Sequence, residues 1–586
     1  MEFSFRTRAR DLNRMSQETY DLLVVGGGIT GAAVARDAVT RGLKVALVER
    51  QDFAFGTSSR SSKLIHGGFR YLESMKFFLV FEALCERALL LRTTPHMVRP
   101  VPFFLPVYSG GKFGKNMYDL GLWLYDLLAL FRTPGFHRRL SKGQMLKLFP
   151  GLETERLEGG FRYFDASMWD DVLVLEILRD ASAKGALIAS YASADQPLFE
   201  GDRLVGFEVV DQLSGDESKR VSVHARKVVL CTGPWADEMG TQIDSNWRSW
   251  LKPSKGVHLV FDANRLKIPG ALVMAHPDDG RISFAVPRPD YGSGVVIVGT
   301  TDGPTHPDPA RAEVVRADID YLMGLLRRYL PDQKLEESDI LSTYVGVRPL
   351  VDDATSGSAD GADSSASLQK VSREHKIDHG PGRSVLVAGG KYTTHRTMAE
   401  EIVDFALKSW GEDARKFGVP GLPESLVPPD TEVAINPKAT IEGRKAAQEW
   451  ARMNQREIPA DLLDRYGSEA IEILKIQDEL LSKKATSSEK TDPEGFSCLE
   501  AQLRYSVQTL MVVKLWDFYM RRVPLYYARR DHGMPWAELL AKALVEELGL
   551  DLGTPEGERR VQKELEELRR EVELAETWRS SKAVGS

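Results

Sequence analysis

Three cysteines, Cys85, Cys231 and Cys498, are all that the 586 residues contain. Their number is odd, they lie far apart and none forms a C-x-x-C pair. Neither a disulfide framework nor a structural zinc is therefore expected, and the chain suits a reducing compartment. Long apolar runs are missing too: none approaches the roughly 18 uncharged residues of a membrane-spanning helix, so no crossing of a bilayer is expected. There is no excess of positive charge; a net charge of −7 and a pI near 6.0 argue against nucleic-acid binding as the main activity. The first twenty residues, MEFSFRTRARDLNRMSQETY, hold four arginines and no apolar stretch, so a secretory signal is not expected. That segment reads either as a solvated arm or as a stretch lying on an anionic membrane surface. What remains is an ordinary globular composition, 42% apolar and 27% charged, long enough for two or more domains.

The apolar run Asp21–Val25 breaks into Gly26-Gly27-Gly28 and resumes as the small-residue stretch Ile29–Thr40, a pattern that predicts strand, tight turn and helix. Gly26, Gly28 and Gly31 fit G-x-G-x-x-G: the first permits the turn, the second lets the backbone approach a pyrophosphate, and the third lets helix and strand pack closely. Thr30 belongs to the same helix start, whose free N–H groups and partial positive charge face the phosphates. Lys44–Val48 then read as a buried strand ending on Glu49, eighteen residues after Gly31, where an acid can accept a ribose hydroxyl. Two more strand–glycine turns follow downstream. Lys227–Leu230 leads into Cys231-Thr232-Gly233-Pro234-Trp235, and Ser384–Ala388 into Gly389-Gly390-Lys391-Tyr392-Thr393-Thr394 before a helix pattern at Met398–Leu407. A nicotinamide enzyme usually continues with further strand–helix units, whereas here the polar loop Gly56–Arg70 follows at once. Several backbone approaches along one groove suit FAD better than NAD.

The motifs GGGITG (26–31), GTSSRSSKLIHGGFRYLE (56–73), CTGPWAD (231–237), KGVH (255–258), VGTTD (298–302), VGVRPL (345–350), SREHKI (372–377) and GGKYTTHR (389–396) occur in one order over roughly residues 20–410. In these the chain resembles the FAD-dependent glycerol-3-phosphate dehydrogenase family. The HGG-x-RY and GVRPL elements separate that family from amine and amino-acid oxidases sharing the same flavin fold. Farther on, YSVQTLMVVKLWDFYMRRVPL (505–525) has Thr509 and Leu510 where the family usually carries acidic residues between its Tyr and its D-x-x-x-RR.

The resemblance implies a mixed α/β and α+β fold: a Rossmann-like FAD-binding domain of the glutathione-reductase/D-amino-acid-oxidase type, an antiparallel-sheet substrate domain and a C-terminal helical domain. The expected division is an N-terminal arm (1–19), interleaved FAD-binding and substrate domains (20–430) and a helical cap (431–586). Within the middle unit, 76–170 reads as mostly helical cover with a proline-rich break at 99–108, and 171–240 as a return to the flavin domain. HLVF (258–261), ISFAV (282–286) and GVVIVGT (294–300) predict the antiparallel sheet. Residues 354–369, rich in Ser, Ala, Gly and Asp, read as a loop.

Hydride transfer from a secondary alcohol to a flavin needs a fixed substrate, an acceptor for the hydroxyl proton and positive charge near the N1–C2=O edge of the ring. Lys391 suits the last task. A phosphorylated polyol calls for guanidinium groups, and Arg70, Arg348 and Arg373 stand in the most characteristic motifs. His258, after Lys255-Gly256, is a candidate proton acceptor, with a core histidine as the alternative. His66 is placed near the ring. Thr57 and Ser58 belong to the cofactor set, with Ser61, Ser62 and Lys63 expected on the pyrophosphate and ribityl oxygens and Gly233, Gly390 and Thr393 at the two later turns.

Three functions follow. The first is oxidation of glycerol 3-phosphate with electrons passing to a quinone, by a protein peripheral to the cytoplasmic side of the inner membrane. The second is an oxidase using O2, although oxidases resembling the family carry a long insertion for which 354–369 is a poor substitute. The third is a flavin-binding interaction protein without turnover. MYDLGLWLYDLLALFRTPGFHRR (117–139), with Trp123, Tyr125 and Phe131 ahead of Arg132, Arg138 and Arg139, is the better membrane-surface candidate, and a helix packed on the flavin domain is the alternative. Oligomeric state stays open, a homodimer included, and no metal is expected.

Overall fold

The computed structural model describes residues 3–215, 219–277, 279–352, 375–428, 441–485 and 495–580. Its core is a sheet whose neighbouring strands run Val385–Ala388, Arg220–Leu230, Thr19–Val25, Val45–Val48 and Leu187–Ala189, all parallel. Val45–Val48 is buried at every residue, as expected for a parallel strand covered on both faces. Helix Ile29–Thr40 packs against both Asp170–Ala183 and His395–Phe417 over the sheet. Lys376–His379 and the hairpin Ala192–Glu200/Arg203–Asp211 extend it with antiparallel pairings.

The second sheet is mostly antiparallel and includes Ser254–Asp262, Ile282–Arg288, Val295–Gly299 and Ile340–Arg348, the strands expected on the substrate side. The chain supplies the two sheets alternately. The expected boundary at 430/431 falls outside the described residues.

Residues 99–108 are not a break. Val98–Tyr108 is an eleven-residue strand paired with Leu157–Met168. Its prolines, 100, 102 and 106, share one parity, opposite Ala166, Phe164 and Gly160. Antiparallel pairs alternate between bonded and non-bonded registers, so one parity can lack N–H groups without breaking the ladder to that neighbour. On the other side the strand meets Ala271–Ala275 only at Phe103 and Phe104.

The 1–19 segment is not a free arm either. Helix Phe5–Met15 is capped by Ser4 and packs on the first sheet. Buried Arg8 donates to the Ser190 and Tyr191 carbonyls at 2.6 and 3.0 Å and pairs with Asp211 at 2.6 Å. That face is buried, while Arg6, Arg10 and Arg14 remain exposed on the other.

From Ile441 to Ala575 the described chain is helical. Its D-x-x-x-RR sequence makes a buried clamp: Arg521 Nε and Arg522 Nη2 lie 2.5 and 2.8 Å from the Asp52 carboxylate, and Arg521 Nη2 lies 2.7 Å from Asp517. Tyr191 donates to Asp517 at 2.8 Å.

Helix Lys115–Leu128 has both properties weighed for it. Leu122, Tyr125 and Asp126 face inward, while Met117, Leu120, Trp123 and Leu127 face out, with Trp123 56% exposed. Leu130, Phe131 and Phe136 lengthen the exposed apolar surface, Met75 and Phe78 are exposed where the preceding helix begins, and Arg132, Arg138 and Arg139 are exposed beyond.

Candidate active site

The glycine turn opens a groove of about 750 Å³. A Cβ on Gly31 would lie 1.9 Å from the Gly26 carbonyl oxygen, and one on Gly26 would lie 2.5 Å from that of Cys231, so neither position admits a side chain. Ile29 N–H donates to Ser58 Oγ at 2.9 Å, fixing the polar loop against the helix start. Glu49 accepts from Gly27 N–H at 2.6 Å and Gln51 N–H at 2.8 Å, and burial raises the pKa of its carboxyl. Gly28, Thr30, Thr57 and Gly233 also line the groove, whose far end carries Trp235 under the Arg50 guanidinium at 4.7 Å. Thr57 Oγ1 donates to the Val347 carbonyl at 2.5 Å, which leaves its hydroxyl hydrogen engaged within the protein. A long trench with bare backbone at a helix N-terminus, an acid beside the turn and a flat aromatic–guanidinium end fits a dinucleotide.

At its other end the groove meets two smaller spaces. One, of about 220 Å³, is walled by Ser61, His66, Lys391 and Thr393. Gly390 has φ 101° and its missing Cβ would meet Met398 Sδ at 2.5 Å, so the backbone bends here as only glycine readily can. Lys391 Nζ sits 4.7 Å from the Tyr71 ring centroid, and the Arg70 guanidinium lies 5.1 Å from the same ring. The other space, of about 260 Å³, is lined by Ser62, His66, Arg70, Arg281, Asp302 and Arg348 together with apolar side chains such as Phe103 and Phe284. Ser62 and Arg348 line all three spaces and mark the junction.

His258 stands behind Ser62 rather than on the wall of the 260 Å³ cavity. Its Nε2 is 2.9 Å from Ser62 Oγ, its ring stacks on Tyr344 at 4.6 Å, and its Nδ1 is buried without a protein partner. Burial, then the charges of Arg348 and Lys63, hold its pKa well below the usual histidine value. The imidazole is therefore neutral at physiological pH.

Lys63 does not reach the groove. Its side chain is fully buried, with Nζ 2.6 Å from Asp170 Oδ1 and 3.0 Å from the Ser59 carbonyl. Asp170 Oδ2 also accepts from Ser61 Oγ at 2.7 Å. A polar loop followed by Lys suggests phosphate contacts, but nothing local reveals a carboxylate 107 residues away. Arg373 and the loop 354–369 lie outside the described residues. Arg281, in the turn before strand Ile282–Arg288, was not picked out by the sequence reading; among the motif arginines it has no distinguishing neighbour pattern.

Residues 21–396 match the FAD dependent oxidoreductase family, and residues 440–553 match the C-terminal domain of alpha-glycerophosphate oxidase. The chain is 34% identical over 537 residues to aerobic glycerol-3-phosphate dehydrogenases of Staphylococcus haemolyticus (strain JCSC1435) and Staphylococcus aureus (strain USA300), covering 91% of each chain. It superposes on a crystal structure of the glycerol-3-phosphate dehydrogenase from Bacillus halodurans complexed with FAD with a TM-score of 0.73 and 28% identity, over 98% of both chains.

Proposed function

The chain belongs to the family of FAD-dependent glycerol-3-phosphate dehydrogenases, and from that premise we propose that it oxidises sn-glycerol 3-phosphate to dihydroxyacetone phosphate and passes the electrons to a membrane quinone. The observation that carries this reading is the junction at Ser62 and Arg348, where a dinucleotide-sized groove meets a small cavity rich in guanidinium groups. Ligand sites for drug-sized molecules run from about 300 Å³ upward, so a cavity of about 260 Å³ suits a small metabolite.

Bound FAD supplies the two-electron acceptor for the hydride leaving C2. The groove residues Gly26, Gly28, Thr30, Glu49 and Ser58 would hold the dinucleotide end, and Ser61, His66, Gly390 and Thr393 would line the space for the ring end. Lys391, on the wall of that space, would place positive charge beside the ring. Arg70 takes the substrate phosphate, and Arg348 lines the same cavity and adds its positive charge there. The C2 hydroxyl proton passes to Ser62 Oγ as Ser62 gives its own to His258 Nε2, a relay for which the 2.9 Å contact is already in place. A phosphate dianion in the cavity offsets the cationic field that keeps His258 weakly basic, so substrate binding strengthens the acceptor.

The quinone reading rests on the exposed apolar surface from Met117 to Phe136 with arginines at its edge, a composition suited to the boundary between headgroups and acyl chains. Among the described residues no helix is long and apolar enough to cross a membrane. Anaerobic addition of glycerol 3-phosphate to the holoprotein, followed in the visible flavin band, tests the reaction: bleaching is expected. Rapid reoxidation by quinone and slow recovery in air support the dehydrogenase, rapid recovery in air the oxidase, and no bleaching the binding protein.

A further inference from the structure

We infer that Arg281 is a phosphate-binding arm of the substrate cavity acting together with Arg70, and that Arg348 serves mainly as the strut that shapes it. This inference rests on the phosphorylated substrate of the proposed function.

The donor inventory separates the three arginines. Arg348 Nη1 donates to the Lys255 carbonyl at 3.1 Å and approaches Asp302 Oδ1 at 3.4 Å. Its Nη2 donates to Thr300 Oγ1 at 2.9 Å and to the Thr301 carbonyl at 3.1 Å. A guanidinium has five N–H groups, so those contacts leave Nε as the donor for a ligand. Arg281 gives one Nη1 hydrogen to the Asp302 carbonyl at 2.6 Å, while its Nε is buried and makes no hydrogen bond in the protein. Asp279 Oδ2 lies 3.4 Å from that Nε, and the same carboxylate already accepts from the Arg281 N–H at 2.9 Å and from Tyr321 at 3.2 Å. A buried, unbonded N–H beside a cavity costs free energy unless a ligand completes it.

Charge points the same way. Burial lowers the Arg348 pKa, Asp302 opposes, and Arg70 and Arg281 lower it further, so the three cations feel one another across the cavity. Among the cavity's carboxylates, Asp165 is held by Arg87 at 2.5 Å, Asp302 is shared by Arg348 and Ser254, and Glu73 is paired with Lys112 at 2.5 Å. A phosphate ester, with a second ionisation near about 6, brings the missing negative charge and three acceptor oxygens. Arginine's fork suits it better than an ammonium would.

The test uses FAD-loaded enzyme, comparing wild type with Arg281→Met and Arg281→Lys. Losing a charged hydrogen bond costs about 1.5–3 kcal/mol, so Arg281→Met should raise KM for glycerol 3-phosphate, and the inhibition constant of inorganic phosphate, roughly 10- to 150-fold. The kcat and FAD content should hold, and Arg281→Lys should recover part of the loss. Unchanged KM and phosphate inhibition in Arg281→Met would overturn the inference, as would a rise in KM that only tracks loss of FAD or of thermal stability in both variants. If wild type is not bleached by glycerol 3-phosphate at all, the underlying function fails instead.

Discussion

Lys63 Nζ lies 2.6 Å from Asp170 Oδ1, and neither side chain exposes any surface. Lys63 takes a left-handed φ of 55°, and the same carboxylate bonds Ser61, so the pair fixes the loop that carries Ser61 and Ser62 to the junction. Removing one partner strands the other: Asp170→Ala should cost about 3–5 kcal/mol in unfolding free energy. The double change Lys63→Met with Asp170→Leu should recover much of it, which denaturant titration of all three variants checks.

Gly31→Ala forces a methyl to 1.9 Å from the Gly26 carbonyl. The expected outcome is protein that purifies without yellow colour, or does not accumulate. Retention of a full complement of FAD, measured as flavin absorbance per chain, would contradict the packing of turn on helix.

Arg348→Ala removes a strut as well as a charge. Its partners, the Lys255 and Thr301 carbonyls and Thr300 Oγ1, lose their donor. KM for glycerol 3-phosphate should rise roughly 10- to 150-fold. The Tm should fall at the same time, unlike in Arg281→Met. Calorimetry alongside steady-state kinetics separates the two.

His258 offers a pH signature. Its pKa is held well below the usual value, so the acceptor form is lost only as pH falls through that depressed pKa. Apart from the substrate phosphate's own ionisation near about 6, kcat/KM should show no enzyme ionisation at about 6.5. His258→Gln should lower kcat about 10²- to 10⁴-fold, and Ser62→Ala should lower kcat more than it changes KM. A limb at the ordinary histidine pKa that disappears in His258→Gln would show a solvated imidazole instead.

Membrane association should depend on one face. Sedimentation with vesicles of anionic lipid should carry the wild type down at low salt, less so at high salt, and should fail after Met117, Trp123 and Phe131 are changed to Ser. Flavin reduction by glycerol 3-phosphate should survive these changes, because none of the three lines the groove or the small cavities.

Legibility in the sequence follows the range over which the physics acts. The Gly26–Gly31 turn, strand Val45–Val48 and the turn at Gly389 are local devices, fixed by steric demand and periodicity within a few residues. Lys63 was misread because its partner is remote, and Arg8 because an isolated run of arginines says nothing about which of them a carbonyl pair will bury. The strand through Pro100, Pro102 and Pro106 shows a local rule overridden by register. Arg281 stayed hidden because its unspent donor is visible only against the spent ones of Arg348.

The clamp on Asp52 has a consequence for the order in which the protein can be made. Asp52 follows the second strand and is synthesised early, yet Arg522, which neutralises it, comes 470 residues later. At about 5–20 residues per second, roughly 25 to 95 seconds of translation separate the two. During that interval the nascent flavin-binding half holds a carboxylate that its finished surroundings would bury without a counter-ion, so it must keep the site wet or protonated. Completion of the clamp therefore waits for the last ninth of the chain, and a protein truncated before Arg521 should leave Asp52 without its two counter-ions.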